Sequence, residues 1–197
     1  MTAITTRKSA IKSISPKYHT PAEYLALEEK DEFKNEYRDG EIVAMTGGSI
    51  EHNSIAGNIF AWLKTALRGQ AAKAYIGDLR VWMPTYRRYT YPDIFVIQGT
   101  PQFEENRKDT VLNPSVIIEV LSRSTSNYDR GDKFKFYRSI PSFQEYWLVD
   151  QYEIQIEQYC KTDGNSWLYR SYDESIFSSP TLNLETEINT IYEDINF

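Results

Sequence analysis

The sequence predicts one α/β or α+β domain, a mixed central sheet with helices on its faces. Three observations predict it. Helical and strand-like patterns alternate along the chain. Central runs, above all PSVIIEVL (114–121), are apolar on both strand faces, as covered interior strands are. The 197 residues, 41% of them hydrophobic, suffice for one ordinary core.

The elements follow in order. TPAEYLALEEK (20–30) has Thr20 as cap, Pro21 at the first helical position and Glu23 three after the cap, a capping box that opens a short helix. NEYRDGEIVAMT (35–46) holds Asp39-Gly40 between two strand-like runs, a hairpin signal. Gly47-Gly48-Ser49 breaks the chain. EHNSIAGNIFAWLKTALR (51–68) spaces Ile55, Ile59, Trp62, Leu63 and Ala66 on one helical face. AYIGDLRVWM (74–83) and YPDIFVIQ (91–98) read as strands, and GTPQFEENRKDT (99–110) as a polar loop. After the strand at 115–121, SRSTSNYDRG (122–131) reads as a loop and DKFKFYRSI (132–140) as a helix. FQEYWLVD (143–150) is a strand; EIQIEQYC and SWLYRSY alternate in period two around Asp163-Gly164, a second hairpin. TLNLETEINTIYEDINF (181–197) closes with a strand and a short helix.

Composition narrows the function. A net charge of −6 argues against a strongly basic, general nucleic-acid binder; a nucleic-acid function would need a local basic patch. The single cysteine, Cys160, allows no internal disulfide and no multi-cysteine zinc site, which fits a reducing, cytoplasmic setting. No apolar run approaches a membrane span, and residues 1–18 lack an apolar signal core; they read as a flexible polar tail before a single domain over 19–197. No glycine-rich phosphate loop follows any strand.

Glu119 poses a problem inside the strand 115–121. It shares a face with Ile117 and Leu121, while Val116, Ile118 and Val120 take the other. An unpaired carboxylate in so apolar a strand is costly, so a cation, a metal or hydrogen bonds must compensate. Asp93 has the same look: it follows Pro92, opens the run IFVI and shares a face with Phe95 and Ile97. Two neighbouring strands with one acid each can hold a hard divalent cation, leaving its other places to water and phosphate. With 129–140 drawn as a helix at about 100° per residue, Lys133 falls at the centre of the face made by Phe136, Tyr137 and Ile140. Lys135 falls on the opposite, solvated side, and Asp129 stands one turn before Lys133.

Pro92-Asp93 and Glu119 resemble the PD…(D/E)XK pattern of the restriction-endonuclease-like nucleases. More closely, NEYRDGEIVAMTGGSIEHNSIAGNI and IIEVLSRST…YDRGDKFKFYR…PSFQEYWLVD look like the large bacterial restriction-endonuclease family once labelled a domain of unknown function. The resemblance covers roughly residues 20–195. It implies a restriction-endonuclease-like core and a metal-dependent endonuclease acting on DNA. Mg²⁺ (or Mn²⁺) would lie on Asp93 and Glu119, Lys133 would stabilise charge or position water, and Glu36 and His52 would support the site. The superfamily usually places lysine two residues after the second acid; here Leu121 stands there, and a migrated lysine on the following helix matches Lys133. By analogy the chain forms a homodimer, with the tyrosine-rich C-terminal half as apolar surface.

Plainer readings stand beside these. Glu119 is then a satisfied buried acid, Asp93 a turn residue, and Lys133 a snorkelling stem. His52 and Glu36 divide evenly between core and site. Asp78 is set aside as a site acid, and Arg80, Arg87, Arg88, Arg123 and Arg130 form a phosphate patch only if they cluster. Cys160 and the Ser122/Ser124 pair carry little weight as nucleophiles, for lack of a base. The competing functions are a weakened nuclease fold that binds nucleic acid or a protein partner, and a small-phosphoester hydrolase.

Overall fold

The computed structural model describes residues 18–197. The expected tail lies outside them except for Tyr18, whose ring stands against Gly40 in the first hairpin. Helix α1 (Pro21–Glu28) carries the capping box on Thr20 and Glu23. Strands β1 (Asn35–Arg38) and β2 (Glu41–Ala44) form the hairpin, with Asp39 and Gly40 both at positive φ as a tight turn requires. Helix α2 (Ile50–Ala66) is capped by Ser49, whose side chain accepts the His52 amide.

The stretch 74–83 is not one strand. It divides into β3 (Ala72–Ile76) and β4 (Arg80–Met83), which belong to different sheets. Gly77 at φ +75 turns the chain between them. Strands β5 (Arg88–Thr90), β6 (Ile94–Gln98), β7 (Thr110–Val111), β8 (Val116–Leu121), β9 (Glu145–Asp150), β10 (Ile156–Lys161) and β11 (Trp167–Tyr172) follow. The main sheet has the order β11-β10-β9-β8-β6-β3; only its β8–β9 pair is parallel, so the sheet is mixed. A second sheet, β2-β1-β5-β4-β7, was not legible as such; β5 and β7 are short, β5 falling in the unassigned stretch 84–90 and β7 at the end of the segment read as a polar loop. A ribbon of β12 (Ile176–Ser179) and β13 (Leu184–Glu187) precedes α5 (Ile188–Ile191).

The helical segment after β8 starts earlier than expected. It runs as α3 (Ser126–Tyr128), a π-helical turn at Asp129–Lys133, and α4 (Phe134–Tyr137). The regular wheel drawn over 129–140 therefore does not hold in detail, yet Lys133 is buried and Lys135 exposed, as that wheel placed them.

Strand β8 lies between β6 and β9, and all six of its residues are buried. Period two sorts them as expected. Val116, Ile118 and Val120 pack with Ile55, Ile59 and Leu63 of α2 on one face. Ile117 and Leu121 pack on the other with Phe95, Ile97, Phe136 and Tyr137, and with Val81 and Val111 of the second sheet. The helical segment 126–137 and the second sheet thus cover the face that carries Glu119. The reverse side of the second sheet is closed by Tyr24 of α1, stacked on Tyr37 and Tyr89.

Candidate active site

The antiparallel pairing of β6 and β8 sets Ile94 against Ile118, so Asp93 stands just past the last pair, beside Glu119. There its carboxylate replaces a backbone acceptor: Oδ2 takes the Val120 amide at 2.8 Å. That bond fixes the side chain in place. Both acids project to the face shared by Phe95, Ile97, Ile117 and Leu121, as their strand parity requires.

Lys133 descends onto them from the π turn. Its Nζ lies 2.9 Å from Glu119 Oε1, 3.3 Å from Asp129 Oδ1 and 4.0 Å from Glu36 Oε1. Tyr137 donates its hydroxyl to Glu119 Oε1 at 2.7 Å. Burial works against the Lys133 charge, but Glu119, Asp129 and Glu36 hold the ammonium well above its usual range. Burial pushes the Glu119 carboxyl up to about 8 against the pull of Lys133, and the charge of Asp93 adds to the rise.

Glu36 arrives from β1 in the second sheet. Its Oε1 accepts the Thr90 hydroxyl, and its Oε2 accepts Arg38 Nη2 at 2.7 Å and Nε at 3.1 Å. Burial opposes its ionisation, but Lys133, Thr90 and Arg38 together lower its pKa. His52 stands in the first turn of α2, on the opposite face of the main sheet, and reaches round the start of β6 to Asp93. Its Nε2 is 3.2 Å from Asp93 Oδ2. Burial again opposes its charge, while the hydrogen bond and charge of Asp93 raise the pKa of the imidazole.

The side chains named from the sequence, Glu36, His52, Asp93, Glu119 and Lys133, line one open cavity of about 340 Å³. The β2–α2 loop, with Gly47 and Gly48, forms one wall, and Ser122, Ser124 and Thr125 form another. Gln151 holds the two walls in register: it accepts the Ser49 hydroxyl at 2.7 Å and donates to the Leu121 carbonyl at 2.6 Å.

The donor set suits a hard divalent cation. Two carboxylates meet at one open cavity, and the charge of Asp93 raises the Glu119 pKa, a repulsion that a cation would relieve. Among the described residues no three His, Cys, Asp or Glu side chains form a metal-holding group. A cation on Asp93 and Glu119 would keep open places for water and phosphate, which matches Mg²⁺ better than a softer metal.

Other candidates stand apart. Asp78 is exposed and paired with Lys34. Arg80 is buried against Asp109, Arg87 pairs with Asp39, Arg88 lies over Phe136, Arg123 lies over Tyr152 and Arg130 pairs with Glu157, so these five arginines make no common patch. Cys160 is buried, and burial pushes its thiol up to about 12. Ser122 and Ser124 do line the cavity, but their hydroxyls bond to each other at 3.1 Å, and Ser122 also to Thr125. Sequence reasoning missed Arg38, Tyr128, Thr90 and Tyr137. The only signal for Arg38 was its period-two spacing from Glu36.

The sequence profile of the family described as Uma2, "Putative restriction endonuclease", matches residues 21–190. Two proteins of Synechocystis sp. (strain ATCC 27184 / PCC 6803 / Kazusa) are similar along most of their length. Uncharacterized protein sll1609 is 40% identical over 149 residues, 76% of this chain and 84% of that protein. Uncharacterized protein slr1290 is 34% identical over 181 residues, 90% of this chain and 93% of that protein. A crystal structure from Anabaena variabilis ATCC 29413, described as "a putative nuclease belonging to DUF820", superposes with a TM-score of 0.72 over 88% of this chain and 97% of that one. At 22% identity this last likeness speaks for the fold. Among the described residues no helix is long and apolar enough to cross a membrane.

Proposed function

Since this chain belongs to that restriction endonuclease family, we propose that it hydrolyses phosphodiester bonds in DNA with the help of a divalent cation, Mg²⁺ or Mn²⁺. One observation carries the reading: Asp93 and Glu119 meet at a single open cavity with the Lys133 ammonium 2.9 Å from Glu119. Asp93 and Glu119 would hold the cation, and the chemistry it would supply there is a more acidic water and a polarised phosphate oxygen. Lys133 holds positive charge where the reacting phosphate gathers negative charge, or positions the attacking water. Asp129 and Glu36 keep that ammonium charged and aimed. His52 orients Asp93 through its Nε2 proton. By analogy the active form is a cytoplasmic homodimer, and the exposed Leu168 and Tyr169 on the edge strand β11 support a second copy there.

The test is plasmid nicking with Mg²⁺ or Mn²⁺. Asp93→Asn and Glu119→Gln each lose about 10²-fold or more of the rate, the scale on which a directed charge contributes. Equal nicking by wild type and both variants overturns the assignment. A second reading, a binding module with a silenced site, is favoured by one contact. Glu119 Oε1 is already held by Lys133 and Tyr137. Oligonucleotide binding without cleavage under any divalent cation would select it.

A further inference from the structure

The cavity is acidic. Glu36, Asp93, Glu119 and Asp129 line it, and the buried cation, Lys133, is enclosed by three of them. The whole chain carries −6. A polyanionic strand needs local positive charge to approach such a surface. Beside the cavity the β1–β5 register sets Arg38 directly opposite Arg88. Like charges placed directly across two strands are destabilising, so this pairing calls for a compensating anion.

The two arginines are compensated unequally. Arg38 gives Nε and Nη2 to one oxygen of Glu36, lines the cavity and lies over the Tyr128 ring at 4.3 Å. Arg88 lies over the Phe136 ring at 3.9 Å. Among the described residues it has no ion pair, whereas Arg38, Arg80, Arg87, Arg107 and Arg130 each have one. Its Nε and Nη1 are shielded from solvent and make no hydrogen bond. Stacking on a ring offsets part of the cost of a desolvated guanidinium but satisfies none of its in-plane N–H groups. A structural stack explains the rings; it does not explain two cations face to face.

We propose that Arg38 and Arg88 form a phosphate seat beside the cavity, where a backbone phosphate flanking the scissile one is held. The inference rests on the phosphodiester reading above. Arg38, partly exposed at the cavity, meets the phosphate oxygens. Arg88 stands behind it as a positioning residue, adding charge that the anion completes. The aromatic rings of Tyr128 and Phe136 fix both guanidinium planes.

The experiment measures anisotropy of a short fluorescein-labelled DNA oligonucleotide against salt, with cleavage followed in parallel. Arg38→Gln and Arg88→Gln each flatten the log–log salt slope by about 1 and raise KM about tenfold with little change in kcat. Arg68→Gln, exposed just past the end of α2 remote from the cavity, leaves both unchanged. Arg38→Lys and Arg88→Lys keep the slope, which a purely structural role for the stacked planes would not predict. If a glutamine variant fails to fold, the lysine pair decides, since a flattened slope with the charge retained overturns the seat. Unchanged slopes in folded glutamine variants overturn it whatever cleavage shows. Wild-type binding without cleavage would sink the hydrolase reading alone, with the seat still judged by its slope. A wild type that binds no oligonucleotide sinks both.

Discussion

Glu119 and Glu145 show how environment divides two acids of the same kind. Both are buried, and they stand on neighbouring strands. Glu145 accepts the Trp147 indole, the Gln158 amide, the Ser179 hydroxyl and the Thr181 backbone N–H, so four neutral donors satisfy it, and it does not line the cavity that Glu119 lines. Glu119 meets a lysine and a tyrosine at an opening to solvent. The difference is invisible along the strand itself, because both sit in apolar runs. Lys133 carries the matching liability. Replacing it with alanine leaves Glu119, Asp129 and Glu36 around an uncompensated hole, which destabilises by about 3–5 kcal/mol. Urea unfolding of Lys133→Ala measures it; a loss under 1 kcal/mol would mean that the ammonium holds nothing together.

At the level of elements, what sequence could show followed period and punctuation. The face assignments of β6 and β8, the α2 core face and both hairpins rest on local periodicity, and they stand in the structure. Asp93, Glu119 and Lys133 were legible for the same reason, each an odd residue in an apolar pattern. The split of 74–83 hinged on one glycine at positive φ, which a run of apolar residues masks. The π turn hid because an extra residue per turn keeps the amphipathic pattern while shifting its phase. Arg38 and Arg88 meet only through strand pairing across 50 residues of chain, so no local rule finds them. The short strand β7 is secured by charge more than by length. Asp109, just before it, accepts Arg107 through both oxygens at 2.8 Å and also meets Arg80. Arg107 is the main reason that the Asp109 pKa falls from 3.8 to about 2. A depressed acid stabilises the fold above its unfolded pKa and loses that contribution as pH falls through the folded one. Wild type therefore exceeds Asp109→Asn in stability at neutral pH, and the gap closes as pH drops from about 3.8 to about 2, readable by acid unfolding followed by circular dichroism. A gap independent of pH would assign the effect to shape instead of charge.

On the scale of the whole molecule, two sheets and a helical segment enclose one face of β8, and the cavity opens where the coverage stops. The main sheet contributes Asp93 and Glu119, the second sheet Glu36 and the two arginines, the helical segment Lys133. Integrity of the site thus reports integrity of the packing. Cys160 offers a gauge of it: buried in the main sheet, with its thiol pushed up to about 12, it reacts with a thiol reagent only as the sheet opens. Its labelling rate in increasing urea should rise with the loss of tryptophan signal; fast labelling of the native protein would reveal local opening at β10. The bond pair made by Gln151 has a further bearing. One amide clasps the residue that caps α2 and the finish of β8, so the turn that carries His52 is tied to the strand whose Val120 amide anchors Asp93, and a remote glutamine helps keep a distance it never spans.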